Sequence, residues 1–200
     1  MSEGQGIRRA TIDGLPAMVF DGLMSQQESA QMFHWLRARN WQRTESARPD
    51  TKAFLHWVCN IDLEQCRLMP LYAATMEAVQ THFPERWPQA CYRSYCNHAS
   101  YGDMLFTHTD SQPDTEGLTA LWYFAPQWDV EWGGETLLFN SRKDAEFVVS
   151  PRPGRLLVFD GRILHAGRAP SRTCVLPRLT FALKLASTDL ANHLTSSVQP

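Results

Sequence analysis

Apolar and polar positions follow two periods along this chain, one after the other. Up to about residue 88 the helical period leads. Ser25 with Glu28 forms a capping box, after which Met32, Phe33, Trp35 and Leu36 mark one face of a helix. A second helix is predicted from Pro70, which a first turn tolerates. It carries Leu71, Tyr72, Thr75, Met76, Val79 and Phe83 on one side, with Pro84 as its stop. Beyond Pro88 short runs of Val, Leu, Phe, Tyr and Thr alternate with Gly, Pro, Asp and Asn. Strands are predicted at Ala90–Asn97, Met104–Thr109, Leu118–Phe124, Glu135–Phe139, Glu146–Val149, Arg155–Phe159, Arg162–His165 and Arg178–Leu185, with Phe54–Asn60 as an earlier addition. The expected fold class is α+β, a double-stranded β-helix (jelly roll) with N-terminal supporting helices. A single domain over residues 1–200 is expected, 1–88 mainly helical support and 89–186 the jelly-roll core.

Composition narrows the function classes. Of the 200 residues 44% are hydrophobic and 20% charged, and seven are Trp, which excludes a disordered chain and leaves large side chains to wall a pocket. The formal net charge of −2 offers no basic field for a nucleic acid or an anionic membrane. Five cysteines, Cys59, Cys66, Cys91, Cys96 and Cys174, contain no CxxC pair, which argues against a zinc ribbon. The opening MSEGQGIRRA lacks the apolar stretch of a signal peptide, and no run approaches membrane-spanning length, so reduced thiols and a cytoplasmic location are expected.

The candidate chemistry begins at His108-Thr109-Asp110. Residues i and i+2 of a strand project to one face, so this spacing aims an imidazole and a carboxylate at one point. A second histidine, His165, follows the apolar run Leu156-Leu157-Val158-Phe159. Two His and one carboxylate form the facial triad of non-haem Fe(II) oxygenases, which leaves the opposite face of the metal open. An isolated HxD triplet occurs often without a metal, and the order of the surrounding motifs is what gives this one weight.

Trp132-Gly133-Gly134-Glu135-Thr136 lies between the two histidines, Pro151-Arg152-Pro153-Gly154 opens the run into His165, and Arg178-Leu179-Thr180 follows on the last strand. In these motifs and their order the sequence resembles the 2-oxoglutarate/Fe(II)-dependent dioxygenase superfamily, in its prolyl-4-hydroxylase-like branch, over about residues 90–185. The resemblance implies that His108, Asp110 and His165 ligate Fe(II). It implies that Arg178 pairs with the distal carboxylate of 2-oxoglutarate and that Thr180 adds a hydroxyl, with O2 as second co-substrate and ascorbate as an accompanying reductant. A guanidinium fork matches a carboxylate bidentately, whereas the rival Arg168 and Arg172 fall in the Gly167–Pro177 loop. Tyr95 and Asn97 are further candidates for the co-substrate, sharing a strand face with Arg93 while Tyr92, Ser94 and Cys96 take the other. Tyr123 is another. Glu135 is left open between a turn residue and a substrate-facing carboxylate, and Arg48, Arg93, Trp122 and Trp128 are candidate pocket walls.

The activity implied is hydroxylation of an unactivated C–H bond, releasing succinate and CO2, on a small molecule, a free amino acid or an amino-acid residue. Related halogenases replace the metal's carboxylate with a small residue, and Asp110 is retained. Two alternatives stand beside this. One is an AlkB-like demethylase of alkylated nucleic acid, similar in the placing of Asn97 before His108 but without that family's paired late arginines, and disfavoured by the charge. The other is a non-enzymatic cupin-like module that binds a metal or small ligand.

Overall fold

A computed structural model describes residues 6–197, with side chains described as far as residue 195. The opening five residues, part of the segment read above as lacking a leader, lie outside that range.

The chain starts with a hairpin that the helical expectation for residues 1–88 did not contain. β1 (Gly6–Ile12) and β2 (Leu15–Asp21) turn at Asp13-Gly14, whose φ values of 48° and 82° are those of a type I′ turn. α1 (Gln26–Arg37) follows under its predicted box: Glu28 N–H donates to Ser25 Oγ at 3.2 Å, and Ser25 N–H donates to Glu28 Oε2 at 2.8 Å. Then come β3 (Gln42–Glu45), β4 (His56–Ile61), the short α2 (Leu63–Arg67) and α3 (Pro70–His82). The N-terminal part is thus mixed rather than mainly helical, because β1 to β4 extend a sheet instead of only propping it.

The remaining strands are β5 (Gln89–Ala99), β6 (Gly117–Phe124), β7 (Thr136–Phe139), β8 (Ala145–Val149), β9 (Leu156–Asp160), β10 (Leu164–Gly167) and β11 (Arg178–Ser187), and α4 (Thr188–Ser197) closes the described chain. Eight strands form one sheet in the order β1-β2-β9-β6-β11-β5-β4-β3, and β10-β7-β8 form a second. All the named pairings are antiparallel, as a jelly roll requires. The strand expected at Met104–Thr109 does not form. Only His108 bridges to the second sheet, opposite His165, while Met104 is exposed and the segment before His108 runs past the cavity mouth without a partner strand.

The large sheet is covered on both faces. Leu179, Phe181, Leu183 and Leu185 of β11 join Trp122, Phe124, Leu156 and Val158 in a core sealed by Phe33 and Leu36 of α1 and Leu71 and Val79 of α3. Each such side chain contributes about 1.5–3 kcal/mol of burial. The alternate face turns toward the small sheet: at one end it packs Val19, Tyr123, Leu157 and Phe159 against Leu138 and Val149, and at the other it leaves a cavity.

Candidate active site

β11 lies between β5 and β6, so its even-numbered residues set three rows on the sheet face beneath the cavity: Asn97–Thr180–Tyr123, Tyr95–Ala182–Leu121 and Arg93–Lys184–Thr119. Ala182 leaves the middle row open. The alternation read along β5 holds from Arg93 onward, with Ser94 and Cys96 buried on the core side. It fails at Tyr92, because a register shift opposite Lys184/Leu185 lets Tyr92 bulge, and Tyr92 joins Arg93 on the cavity side while Cys91 takes its core position.

At the inner end of this cavity of about 270 Å³, His108, Asp110 and His165 come together. One ligand atom from each lies within 4.8 Å of the others. Asp110 Oδ1 is 3.5 Å from His108 Nε2, and Oδ2 is 3.4 Å from His165 Nε2. The backbone aligns them. His108 and His165 exchange N–H···O=C bonds of 2.9 Å in both directions, and Gly161 C=O accepts from Asp110 N–H at 2.7 Å. Each imidazole is also oriented at its far nitrogen: His108 Nδ1 is 3.1 Å from Phe106 C=O and His165 Nδ1 is 3.0 Å from Ile163 C=O. A carbonyl beside Nδ1 holds the proton there and leaves the Nε2 lone pair facing the carboxylate. Burial, opposed by Asp110, brings His165 down to about 4, so it is neutral at neutral pH and able to bind a metal.

Asp110 has company that the motifs did not announce. Lys184 Nζ pairs with its Oδ2, and both side chains are buried. Thr119 Oγ1 donates to the same oxygen at 2.6 Å and accepts from Lys184 at 3.1 Å. Burial alone would raise the Asp110 carboxyl, but Lys184, then His165 and His108, hold it well below the usual carboxylate range. Burial works against the Lys184 ammonium and Asp110 more than restores it, leaving its pKa raised.

Arg178, at the other end of β11's cavity face, is only 4% exposed. Its Nε donates to Gly134 C=O at 2.6 Å and one terminal nitrogen to Thr136 Oγ1 at 2.9 Å, and the guanidinium carbon sits 5.4 Å from the Tyr123 ring centre. The Gly-Gly-Glu-Thr turn therefore serves as the arginine's cradle. Gly134 has φ +80°, and a Cβ there would meet Trp128 at 3.1 Å and Arg178 Cδ at 3.3 Å; a Cβ on Gly167 would come within 3.2 Å of the guanidinium. Burial lowers the Arg178 pKa, and only Tyr123 and Glu135 counter it. Thr180 Oγ1 and Asn97 Oδ1, facing each other across β11 and β5, are buried without a hydrogen-bond partner among the described residues.

The candidates from the sequence thus divide. Tyr95, Asn97, Arg178, Thr180 and the His/Asp/His group all line one cavity. Tyr123 does not: it is 1% exposed and spends its hydroxyl on Thr136 Oγ1 at 2.7 Å, beneath the arginine. Arg168 and Arg172 are exposed, as expected of loop residues. Glu135 lies outside the cavity lining, as do Arg48, Trp122 and Trp128. Of these, Trp122 is in the helix-side core, donating to Thr75 Oγ1, and Arg48 pairs with Asp50 and reaches Thr107 C=O. Lys184 escaped notice because a lone strand lysine reads as solvated; its place two strand repeats beyond Thr180, on the same face, was the available signal.

Residues 94–183 match the family model described as the 2OG-Fe(II) oxygenase superfamily. This region of the chain belongs to that superfamily. The protein is an oxygenase that uses Fe(II), 2-oxoglutarate and O2, as its motifs led one to expect. Among solved structures, a Pseudomonas putida prolyl-4-hydroxylase is similar at TM-score 0.62 and 15% identity, covering 91% of this chain and 93% of that one. The viral collagen prolyl hydroxylase of Paramecium bursaria Chlorella virus-1, as a 2-oxoglutarate complex, gives 0.62 at 14% identity, with 90% and 99% covered. HygX of Streptomyces hygroscopicus, with nickel and 2-oxoglutarate bound, gives 0.57 at 16%, with 86% and 83% covered. Identities this low speak to the fold alone. Comparison with curated protein sequences gave no match.

The oxygenase's cavity fits both groups on its own chemistry. Two imidazole nitrogens and one carboxylate suit Fe(II) with open positions, and a buried guanidinium beside an unpartnered hydroxyl suits a carboxylate. No helix among the described residues is long and apolar enough to cross a membrane.

Proposed function

We propose that this oxygenase acts as one catalytic domain that hydroxylates an unactivated C–H bond of a small molecule, a free amino acid or an amino-acid residue, releasing succinate and CO2. His108, Asp110 and His165 hold the iron. Arg178 and Thr180 receive the distal carboxylate of 2-oxoglutarate, Asn97 and Tyr95 flank it, and Tyr123 acts from beneath by fixing Thr136 and the guanidinium. The observation that carries this reading is the buried Arg178, whose hydrogen-bond acceptors are neutral, in the same cavity as the His/Asp/His group. A buried cation with no bonded anion is costly, and an incoming carboxylate relieves that cost.

With iron and 2-oxoglutarate bound, the pair supplies the oxidant for the C–H bond. The protein's residues do the rest. Leu121, Phe159 and Ala182 give the wall an apolar surface that limits water, and the carbonyls at Phe106 and Ile163 keep the histidine protons on Nδ1. At the mouth Arg93 pairs with Glu45 at 2.8 Å, stacked 4.4 Å from the Tyr95 ring centre. Both side chains are about one-third exposed, so the pair opens at little cost. Such a pair suits a substrate carrying both charges, as a free amino acid does.

Anaerobic addition of Fe(II) and 2-oxoglutarate tests the assignment. A weak visible charge-transfer band is expected with the wild type and not with Asp110→Ala; no band from either overturns it. Succinate release across free amino acids and their N-acetyl amides then tests the substrate class, with the blocked forms expected to be poorer.

A further inference from the structure

Asp110 does not offer its two oxygens equally. Oδ2 receives the Lys184 ammonium and the Thr119 hydroxyl and lies 3.4 Å from His165 Nε2, whereas Oδ1 accepts no hydrogen bond among the described residues and faces the His108 Nε2 lone pair at 3.5 Å. Lys184 reaches Oδ2 from β11 and Thr119 from the neighbouring β6, where the two residues are direct cross-strand partners. The ammonium lies 5.7 Å from the Tyr95 ring centre, so its surroundings are a carboxylate, a hydroxyl and an aromatic face. Glu45, the other carboxylate lining the cavity, is engaged with Arg93 at the mouth.

We infer that Lys184 is a positioning residue for the metal site, reserving Oδ2 of Asp110 so that one oxygen alone reaches the metal. This rests on the reading of His108, Asp110 and His165 as ligands and adds a role that reading does not need. Three consequences follow from charge and geometry. Without metal, Lys184 is the resident counter-ion that lets a carboxylate stay buried. With metal, it repels the incoming dication and holds affinity below what the three ligands alone would give. By keeping the carboxylate monodentate, it preserves the coordination position that a bidentate 2-oxoacid requires.

Lys184→Met and Lys184→Arg separate this from a general packing role. With Co(II) as an anaerobic spectroscopic probe, Lys184→Met is expected to bind metal about tenfold more tightly, equivalent to about 1.4 kcal/mol. The same variant, once loaded, is expected to bind 2-oxoglutarate at least tenfold more weakly. Its Co(II) visible absorption is expected to weaken as the second oxygen joins the coordination shell. Lys184→Arg is expected to return all three readings toward wild type. A residue that only filled space would move both affinities down together, and that result overturns the proposal, as does Lys184→Met with unchanged affinities and spectrum. Failure of the wild type itself to bind Co(II) would instead remove the metal-site reading, and this inference with it; Lys184→Met melting below wild type without metal, by contrast, would support the counter-ion part alone.

Discussion

β11 carries two buried cations on one face, six positions apart, and they are treated in opposite ways. Lys184 is locked to a carboxylate and a hydroxyl, and its pKa is raised. Arg178 donates to a backbone carbonyl and a threonine, and burial lowers its pKa against the opposing influence of Tyr123 and Glu135. A protein desolvates a charge either by pairing it internally or by leaving it for a ligand. Here both solutions share one strand, with Lys184 paired to a carboxylate and Arg178 hydrogen-bonded to neutral acceptors alone.

Lys184→Met alone is expected to destabilise the metal-free protein by about 3–5 kcal/mol, because it strands a buried carboxylate. Asp110→Asn with Lys184→Met is expected to recover most of that loss in chemical denaturation. Equal stability of the single and double variants would show that the pair is not the source. At the open end the sign reverses for stability and the loss appears in binding. Arg178→Met is expected to leave the melting temperature near or above wild type while weakening 2-oxoglutarate at least a hundredfold, about 2.7 kcal/mol, by calorimetry. Parallel loss of stability and binding would erase the contrast.

A finer test uses pH. His165 falls to about 4 in the folded protein against 6.5 in an unfolded chain, so the folded state binds fewer protons in that window. Stability of the metal-free protein is therefore full above about 6.5 and declines as pH falls toward 4, by roughly 3 kcal/mol at most. Denaturation midpoints between pH 7 and 4 check this, and His165→Gln should flatten the slope. The smallest effect belongs to the cradle. Gly167→Ala places a methyl 3.2 Å from the Arg178 guanidinium and is expected to weaken 2-oxoglutarate severalfold with little change in melting temperature.

Much of this was legible in the residues because the chemistry is written in short-range spacings. His108-Thr109-Asp110 and Arg178-Leu179-Thr180 each bring two side chains to one side, the first through a lone bridge at His108 rather than the expected strand, the second on β11. What escaped depends on contacts between distant segments. Tyr123 satisfies the alternation that would bring it to the cavity, yet the second sheet supplies Thr136 to cap it. The bulge at Tyr92 arises from pairing with β11, and nothing local in the Cys91–Ser94 stretch dictates it. The β1–β2 hairpin was announced by Asp13-Gly14, a two-residue turn signal between apolar runs that the helical emphasis passed over.

The reciprocal backbone bonds between His108 and His165 carry one more consequence. Outside its one short bridge, the segment bearing His108 has no strand partner, so the two histidines form a single rung on which the site closes. Two of the three candidate ligands then cannot part independently. Breaking the rung disperses the set at once, and forming it completes the set at once, so release and capture of an ion are gated by a single local opening rather than by stepwise detachment.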